Sequence, residues 1–364
     1  MDWDAEGLLD GIDDEGARAA RRALLDELSA DGVALEELRR AVAEDRLALL
    51  PVERVLGSAP KYTAREVAER SGIDLEFFEA SRRALGLPWP GPEERLFGEE
   101  DVAAAERGKR YRAAFPAQEG LEVIRVVGQG MARYAEAMRE MAARAFLEQG
   151  IDEHELAHRY RGVAEALLPL SGPWLQYVFT LHLREVLRQD AVTREQLETG
   201  RAQDARPVAV AFADIVGFTS LGESVDVEEL SVVAERLTGR AGRIVCPPVT
   251  LVKQIGDAVM LVSPDVDAML DTVLELIEPA GDFPPLRAGV AHGPALNRWG
   301  DWYGSTVNVA SRLTARARPG SVLVTEEVRD RAGANYSWSL AGPKKLRGLS
   351  APLKTYRVRR DGTA

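Results

Sequence analysis

The chain has 364 residues, 46% hydrophobic and 29% charged, which gives room for two domains of ordinary size and is the composition expected of a soluble globular protein. No apolar run approaches ~18 residues, so no transmembrane helix is expected, and the acidic start MDWDAEGLLDGIDDEG is unlike a signal or transit peptide. A net charge of −12 disfavours a broad nucleic-acid surface, while the single cysteine, Cys246, excludes an intrachain disulfide and makes a reducing cytoplasm the expected compartment.

Residues 14–200 are rich in Ala, Leu, Glu and Arg, with apolar residues at helical spacing in ARAARRALLDELSADG, VALEELRRAVAEDRLALL and GLEVIRVVGQGMARYAEAMREMAARAFLEQG. EHELAHRYRGVAEALLPL reads as a further helix, and 176–200 as another that runs into a polar linker. The apolar run 166–183 is expected to be a buried core helix pair, with an apolar effector site as the weaker alternative. Past residue 206 short β-like runs alternate with helices. Strands are expected at 208–213, 249–254, 258–262, 286–291, 321–324 and 354–358, and helices at 226–242, 265–278 and 304–317. The β-α-β-β-α-β order is that of a ferredoxin-like sheet with helices on one face. The expected fold is therefore an all-α N-terminal domain (1–190), a linker (191–206) and an α+β domain (207–364).

VAVAFADIVGFTS, residues 208–220, ends an apolar strand on a carboxylate, Asp214. TLVKQIGDAVMLV (250–262) reads as a hairpin with Asp257 near its turn. If the hairpin pairs beside the first strand, the two carboxylates converge. Two such groups in a poorly solvated spot repel each other, and a hard divalent cation relieves that cost. Taken alone, Asp214 reads more readily as a loop cap and Asp257 as a turn residue.

Together with LRAGVAHG (286–293) and GDWYGSTVNVASR (300–312), these motifs resemble the catalytic domain of class III nucleotide cyclases, over residues 207–358. The resemblance implies two Mg²⁺ or Mn²⁺ ions per site held by Asp214, Asp257 and the Ile215 carbonyl. It implies Lys253 and Asp301 reading the base, Asn308 and Arg312 stabilising the transition state, and Arg287 and Arg347 contacting phosphates. Asn308 and Arg312 are an i, i+4 pair and share a helix face. Adenine offers an amino donor beside a ring acceptor, which suits a carboxylate and an ammonium, whereas guanine reverses that polarity. The implied substrate is ATP and the implied product cyclic AMP. Because family members share sites between two catalytic domains, a chain carrying the full residue set is expected to form a homodimer with composite sites. The alternatives are a guanylate cyclase, an inactive nucleotide sensor, or a DNA-binding regulator with an appended cyclase-like domain. His292 and Trp302 read as structural.

The N-terminal half carries two further signals. HELAH (154–158) fits H-E-x-x-H, yet nothing nearby completes a zinc peptidase, and a solvated face of Glu153, His154, Glu155 and His158 is the plainer reading. His154, His158 and His182 precede the linker, and some class III cyclases with helical N-terminal modules are autoinhibited and respond to pH. These three histidines are therefore the candidate proton-sensing regulatory residues. Residues 62–103 resemble the winged helix-turn-helix of MerR-type regulators, but the glutamates crowding Arg82 and Arg83 favour packing or dimerisation over DNA binding.

Overall fold

The computed structural model describes residues 1–58, 60–189, 205–222, 225–345 and 351–362. The chain divides into two compact units, Met1–Ala191 and Val192–Ala364. Among the described residues no helix is long and apolar enough to cross a membrane.

The first unit is helical: α1 (Glu15–Ala30), α2 (Leu35–Ala43), α3 (Leu50–Leu56), α4 (Ala64–Ser71), α5 (Leu75–Ala84), α6 (Glu99–Ala114), α7 (Ala117–Phe146) and α8 (Glu153–Gln189). Starts are set by side chains that satisfy orphan backbone donors. Asp14 accepts from the Ala17 N–H at 2.7 Å before α1, and Thr63 and Glu66 form a capping box on α4. One core gathers Trp3, Leu24, Leu25, Leu28, Leu38, Leu47, Leu50 and Ala157. A second, around Val67, Ile73, Phe97 and Ala105, holds the helix-turn-helix-like segment together. There Tyr62 and Phe97 form a short antiparallel bridge.

Two expectations are corrected here. The helix expected from residue 153 and the one expected from 176 are a single element, α8, which runs through Pro169 and Pro173. The run 166–183 is not a buried helix pair within this chain. Leu170, Trp174, Tyr177 and Phe179 are all more than half exposed.

In the second unit the elements are β1 (Arg206–Ile215), α9 (Phe218–Leu221), α10 (Val227–Ile244), β2 (Thr250–Ile255), β3 (Ala258–Ser263), α11 (Val266–Ile277), β4 (Leu286–Arg298), β5 (Asp301–Tyr303), α12 (Ser305–Thr314), β6 (Val322–Thr325), α13 (Glu326–Arg331), β7 (Tyr336–Lys344) and β8 (Leu353–Arg360). The sheet order is β2-β3-β1-β4-β6-β8-β7, with β5 paired to β4. Along β2-β3-β1-β4 each neighbouring pair is antiparallel, which is the ferredoxin-like arrangement expected. Alternation along β1 explains the layers. Ala209, Ala211 and Ala213 face Leu237 of α10 and Met269, Leu270 and Val273 of α11. Val208, Val210 and Phe212 face the other side, where Ala310 of α12 packs. The β-α-β-β-α-β helices thus lie on one face, and α12, beyond that unit, covers part of the other.

Gly289 on β4 lets α12 approach. A Cβ there would sit 2.3 Å from the Thr314 nitrogen and 2.6 Å from the Ala310 oxygen, both backbone atoms. Gly289→Ala is expected to cost on the order of 3 kcal/mol in urea denaturation, because the helix itself must move. A cost no larger than that of an ordinary surface substitution would contradict this packing.

Candidate active site

Asp214 is the last residue but one of β1 and keeps the parity of Phe212, so it lies on the α12 face. The β2–β3 hairpin turns through Gly256 and Asp257, with Gly256 at φ +58, the conformation that a two-residue turn demands of its first position. The Ile215 N–H donates to the Asp257 carbonyl at 3.1 Å, fastening the turn to the end of β1. Gln254 braces it further. Its amide nitrogen donates to the Gly256 carbonyl at 2.8 Å and to that of Ala234 on α10 at 3.3 Å, and the Thr238 hydroxyl donates to its oxygen.

The Asp257 carboxyl is thereby brought against Asp214. Burial pushes it above the usual carboxylate range, and the charge of Asp214 and a hydrogen bond between the two side chains add to the effect. Arg287, opposite Asp214 in the β1–β4 register, donates from Nε at 2.9 Å and Nη2 at 2.6 Å to Asp214 Oδ2. Its Nη1 has only a 3.5 Å contact to the Ala315 carbonyl. A pair of adjoining carboxylates, one of them disfavoured as an anion by burial and then by the other, is a donor set that fits hard divalent cations.

A bulge between Leu251 and Lys253 turns β2 so that Gln254 reaches α10. Lys253 Nζ forms an ion pair with Asp301 Oδ2, and Asp301 Oδ1 accepts from the Trp302 N–H at 2.8 Å. Trp302 is buried, as its structural reading required. Asp301 follows the β4–β5 turn at Trp299 and Gly300, both at positive φ. Asn308 and Arg312 lie on α12, the first exposed and the second half-buried. Among the described residues neither side chain has a hydrogen bond or ion pair. Arg347 lies outside the described residues.

Elsewhere, His154 and His158 meet Glu27 of α1, whereas His182 is exposed and 24 residues further along α8 than His158, about 36 Å at a helical rise. The three histidines do not form one cluster. Nor is the 153–158 face simply solvated, since Arg21 pairs with Glu153 and Ala157 is buried. In the helix-turn-helix-like segment, Arg82 Nε donates to the Pro88 carbonyl at 2.8 Å and Arg83 pairs with Glu79, so both cations are already engaged. Sequence reasoning missed Gln254 and Glu27. Gln254 lies inside the hairpin motif and so had a local signal, while Glu27 had none.

His292, on β4, has its pKa lowered by burial first and by Arg331 second, with Glu327 opposing. The unfolded chain therefore takes up this proton at a higher pH than the native one. Native stability contributed by this site is full above about pH 6.5 and falls as pH drops toward the lowered value. The Tm of the wild type is expected to fall more steeply on acidification than that of His292→Gln. Parallel Tm curves would contradict it.

Comparison with known proteins places these features in a family. The adenylate cyclase regulatory domain model matches residues 1–187, and the adenylate and guanylate cyclase catalytic domain model matches 201–360. The chain is 41% identical over 359 residues to the pH-sensitive adenylate cyclase MT1302 of Mycobacterium tuberculosis, covering 95% of this chain and 90% of that one. It is 32% identical over 290 residues to an adenylate cyclase of Streptomyces coelicolor, covering 77% and 74%. Among solved structures, the adenylyl cyclase CyaB from P. aeruginosa matches 44% of this chain and 98% of its own, with 22% identity and a TM-score of 0.39. With catalytic motifs on one sheet face and both domain models matched in order, the chain belongs to the class III nucleotide cyclases, as a catalytic domain preceded by an adenylate cyclase regulatory domain.

Proposed function

We propose that the chain is an adenylate cyclase that converts ATP to 3′,5′-cyclic AMP and pyrophosphate, works as a homodimer with composite sites, and is restrained by its N-terminal unit. The observation that carries this reading is the gathering of Asp214, Asp257, Arg287 and the Lys253–Asp301 pair on the sheet face that also bears α12.

Two Mg²⁺ or Mn²⁺ ions, held by Asp214, Asp257 and the Ile215 carbonyl, would lower the pKa of the ribose 3′-hydroxyl and neutralise the polyphosphate. The chain's own groups do the rest. Asp301 accepts from the adenine amino group, and Lys253 donates to the neighbouring ring nitrogen. Arg312 and Asn308, without partners on α12 among the described residues, donate to phosphate oxygens as charge builds there, where fixed donors act most strongly. Arg312 suits this because its fork stays charged. Arg287 anchors Asp214 and leaves Nη1 for a phosphate oxygen, with Arg347 as a second phosphate contact.

The apolar stripe of α7 and α8 supports the dimer. Val123, Tyr177, Phe179 and Leu187 are more than half exposed, and a chain acting alone rarely leaves such a surface in water. Regulation by the N-terminal unit, with His154, His158 and His182 as its candidate residues, is supported by the 41% identity to a relative named pH-sensitive.

The test is incubation of the full chain with ATP and Mn²⁺. Cyclic AMP and pyrophosphate are expected in equal amounts, with loss of both in Asn308→Ala. Nucleotide binding without either product would support an inactive sensor instead.

A further inference from the structure

The packing of α8 on α1 brings three metal-binding side chains to a point. His154 and His158 are one helical turn apart on α8, so their rings share a face. The rings stand edge to face at 89°, with centroids 4.5 Å apart. Their Nε2 atoms are 3.1 Å apart. Each also reaches the same oxygen of Glu27, on α1, at 3.2 Å from His154 and 3.0 Å from His158. The three atoms form a nearly equilateral triangle. For a four-coordinate zinc with bonds of about 2.0–2.1 Å, adjacent ligand atoms lie about 3.3 Å apart, so the triangle closely matches one face of that tetrahedron.

Hydrogen bonds alone satisfy this triangle poorly. If both imidazoles donate from Nε2 to the shared Glu27 oxygen, the two hydrogens crowd each other across the 3.1 Å gap. If one imidazole donates to the other, it gives up the carboxylate. A single cation takes a lone pair from all three atoms at once.

The surroundings support the same assignment. Arg161 Nη1 holds the other Glu27 oxygen at 3.2 Å, orienting the carboxylate from outside as second-shell partners do. Arg161 is itself offset by Glu165 at 2.9 Å and Asp31 at 3.6 Å. Arg21 and Glu153 form a two-point ion pair, at 2.7 and 3.2 Å, that clamps α1 to α8 immediately before His154. Ala157, buried between the two histidines, lets the helices close up. Glu155, the acid inside H-E-x-x-H, accepts from Arg159 Nε at 2.9 Å. It is thus turned away from the triangle, whereas a peptidase needs that acid beside the metal-bound water.

We propose that Glu27, His154 and His158 form a binding site for one divalent transition-metal ion of the zinc class, tying α1 to α8. Two imidazoles and one carboxylate select zinc, cobalt or nickel over magnesium or calcium, which separates this site from the all-oxygen donors at Asp214 and Asp257. The fourth position is open to water.

The experiment uses the full chain, stripped with a chelator and kept in excess Mg²⁺ so that hard oxygen sites are filled. Co²⁺ is titrated in and followed by visible absorption, and Zn²⁺ binding is followed by calorimetry and by Tm. One equivalent per chain is expected, with four-coordinate cobalt absorption and a metal-dependent rise in Tm. His158→Ala and Glu27→Gln, each with metal-free Tm and circular dichroism checked against wild type, should each lose at least tenfold in affinity. Glu155→Ala should bind as wild type. Equal binding by wild type and both ligand variants would overturn the site. So would a cobalt signal that survives in them and disappears in Asp257→Asn.

Discussion

An equal mixture of Asp214→Ala and Asn308→Ala chains is expected to recover about a quarter of wild-type turnover, although each variant alone is silent. The two substitutions remove different parts of one reaction. Asp214 belongs to the carboxylate pair held by Arg287 and the hairpin turn. Asn308 stands on α12 with no partner of its own among the described residues. Loss of one fixed donor at the developing charge costs about 10²–10³ in turnover, and loss of a metal carboxylate costs at least as much. Random pairing makes half the dimers mixed. If each site takes its aspartates from one chain and its α12 residues from the other, a mixed dimer keeps one intact site of two. Subunit exchange is confirmed by co-purification through different tags. Confirmed mixed dimers with no recovered activity would contradict shared sites.

The second large effect falls on substrate choice. Lys253→Glu is expected to lower kcat/KM for ATP by at least about 10²-fold and to raise the GTP-to-ATP ratio. It places an acceptor against the adenine ring acceptor, and a mismatched polar pair discriminates by orders of magnitude. Asp301→Ala should lose ATP turnover without gaining GTP. Stability should barely change in either variant. The Lys253 and Asp301 side chains are 37% and 30% exposed, and a pair so open to water contributes about 1 kcal/mol or less. Competition between ATP and GTP in one reaction reads the ratio directly. An unchanged ratio in Lys253→Glu would remove this pair from base recognition.

Both predictions rest on residues visible in the sequence, and the reason is local. Asp214 and Asp257 each lie beside a turn whose glycine, Gly217 or Gly256, has positive φ. The strands beside them, β1 and β3, read as unbroken apolar runs because both of their faces are covered. Elements with one open face were harder to read. β7 lies at the sheet edge, mixes exposed and half-buried positions, and contains a bulge between Leu340 and Gly342, just before Pro343. Edge strands tolerate proline and need no strict alternation, so nothing marked it. The two helices expected over 153–200 are joined in α8, which runs through Pro169 and Pro173. Pro169 removes one intrahelical donor, while the Ser171 hydroxyl donates to the Leu167 carbonyl at 3.0 Å within the same stretch. Glu27 was invisible for a different reason. It lies 127 residues before His154, and only packing of α1 on α8 joins them. The exposure of Trp174 and Phe179 likewise depends on what is packed beside α8, which helical periodicity does not record.

The most direct measurement is cyclic AMP formed from Mn–ATP by the full chain and by residues 200–364, side by side from acid to mildly alkaline pH. Cyclic AMP is expected from both, with the catalytic segment more active and less responsive to pH than the full chain. No cyclic AMP from either, with dimers verified, would contradict it.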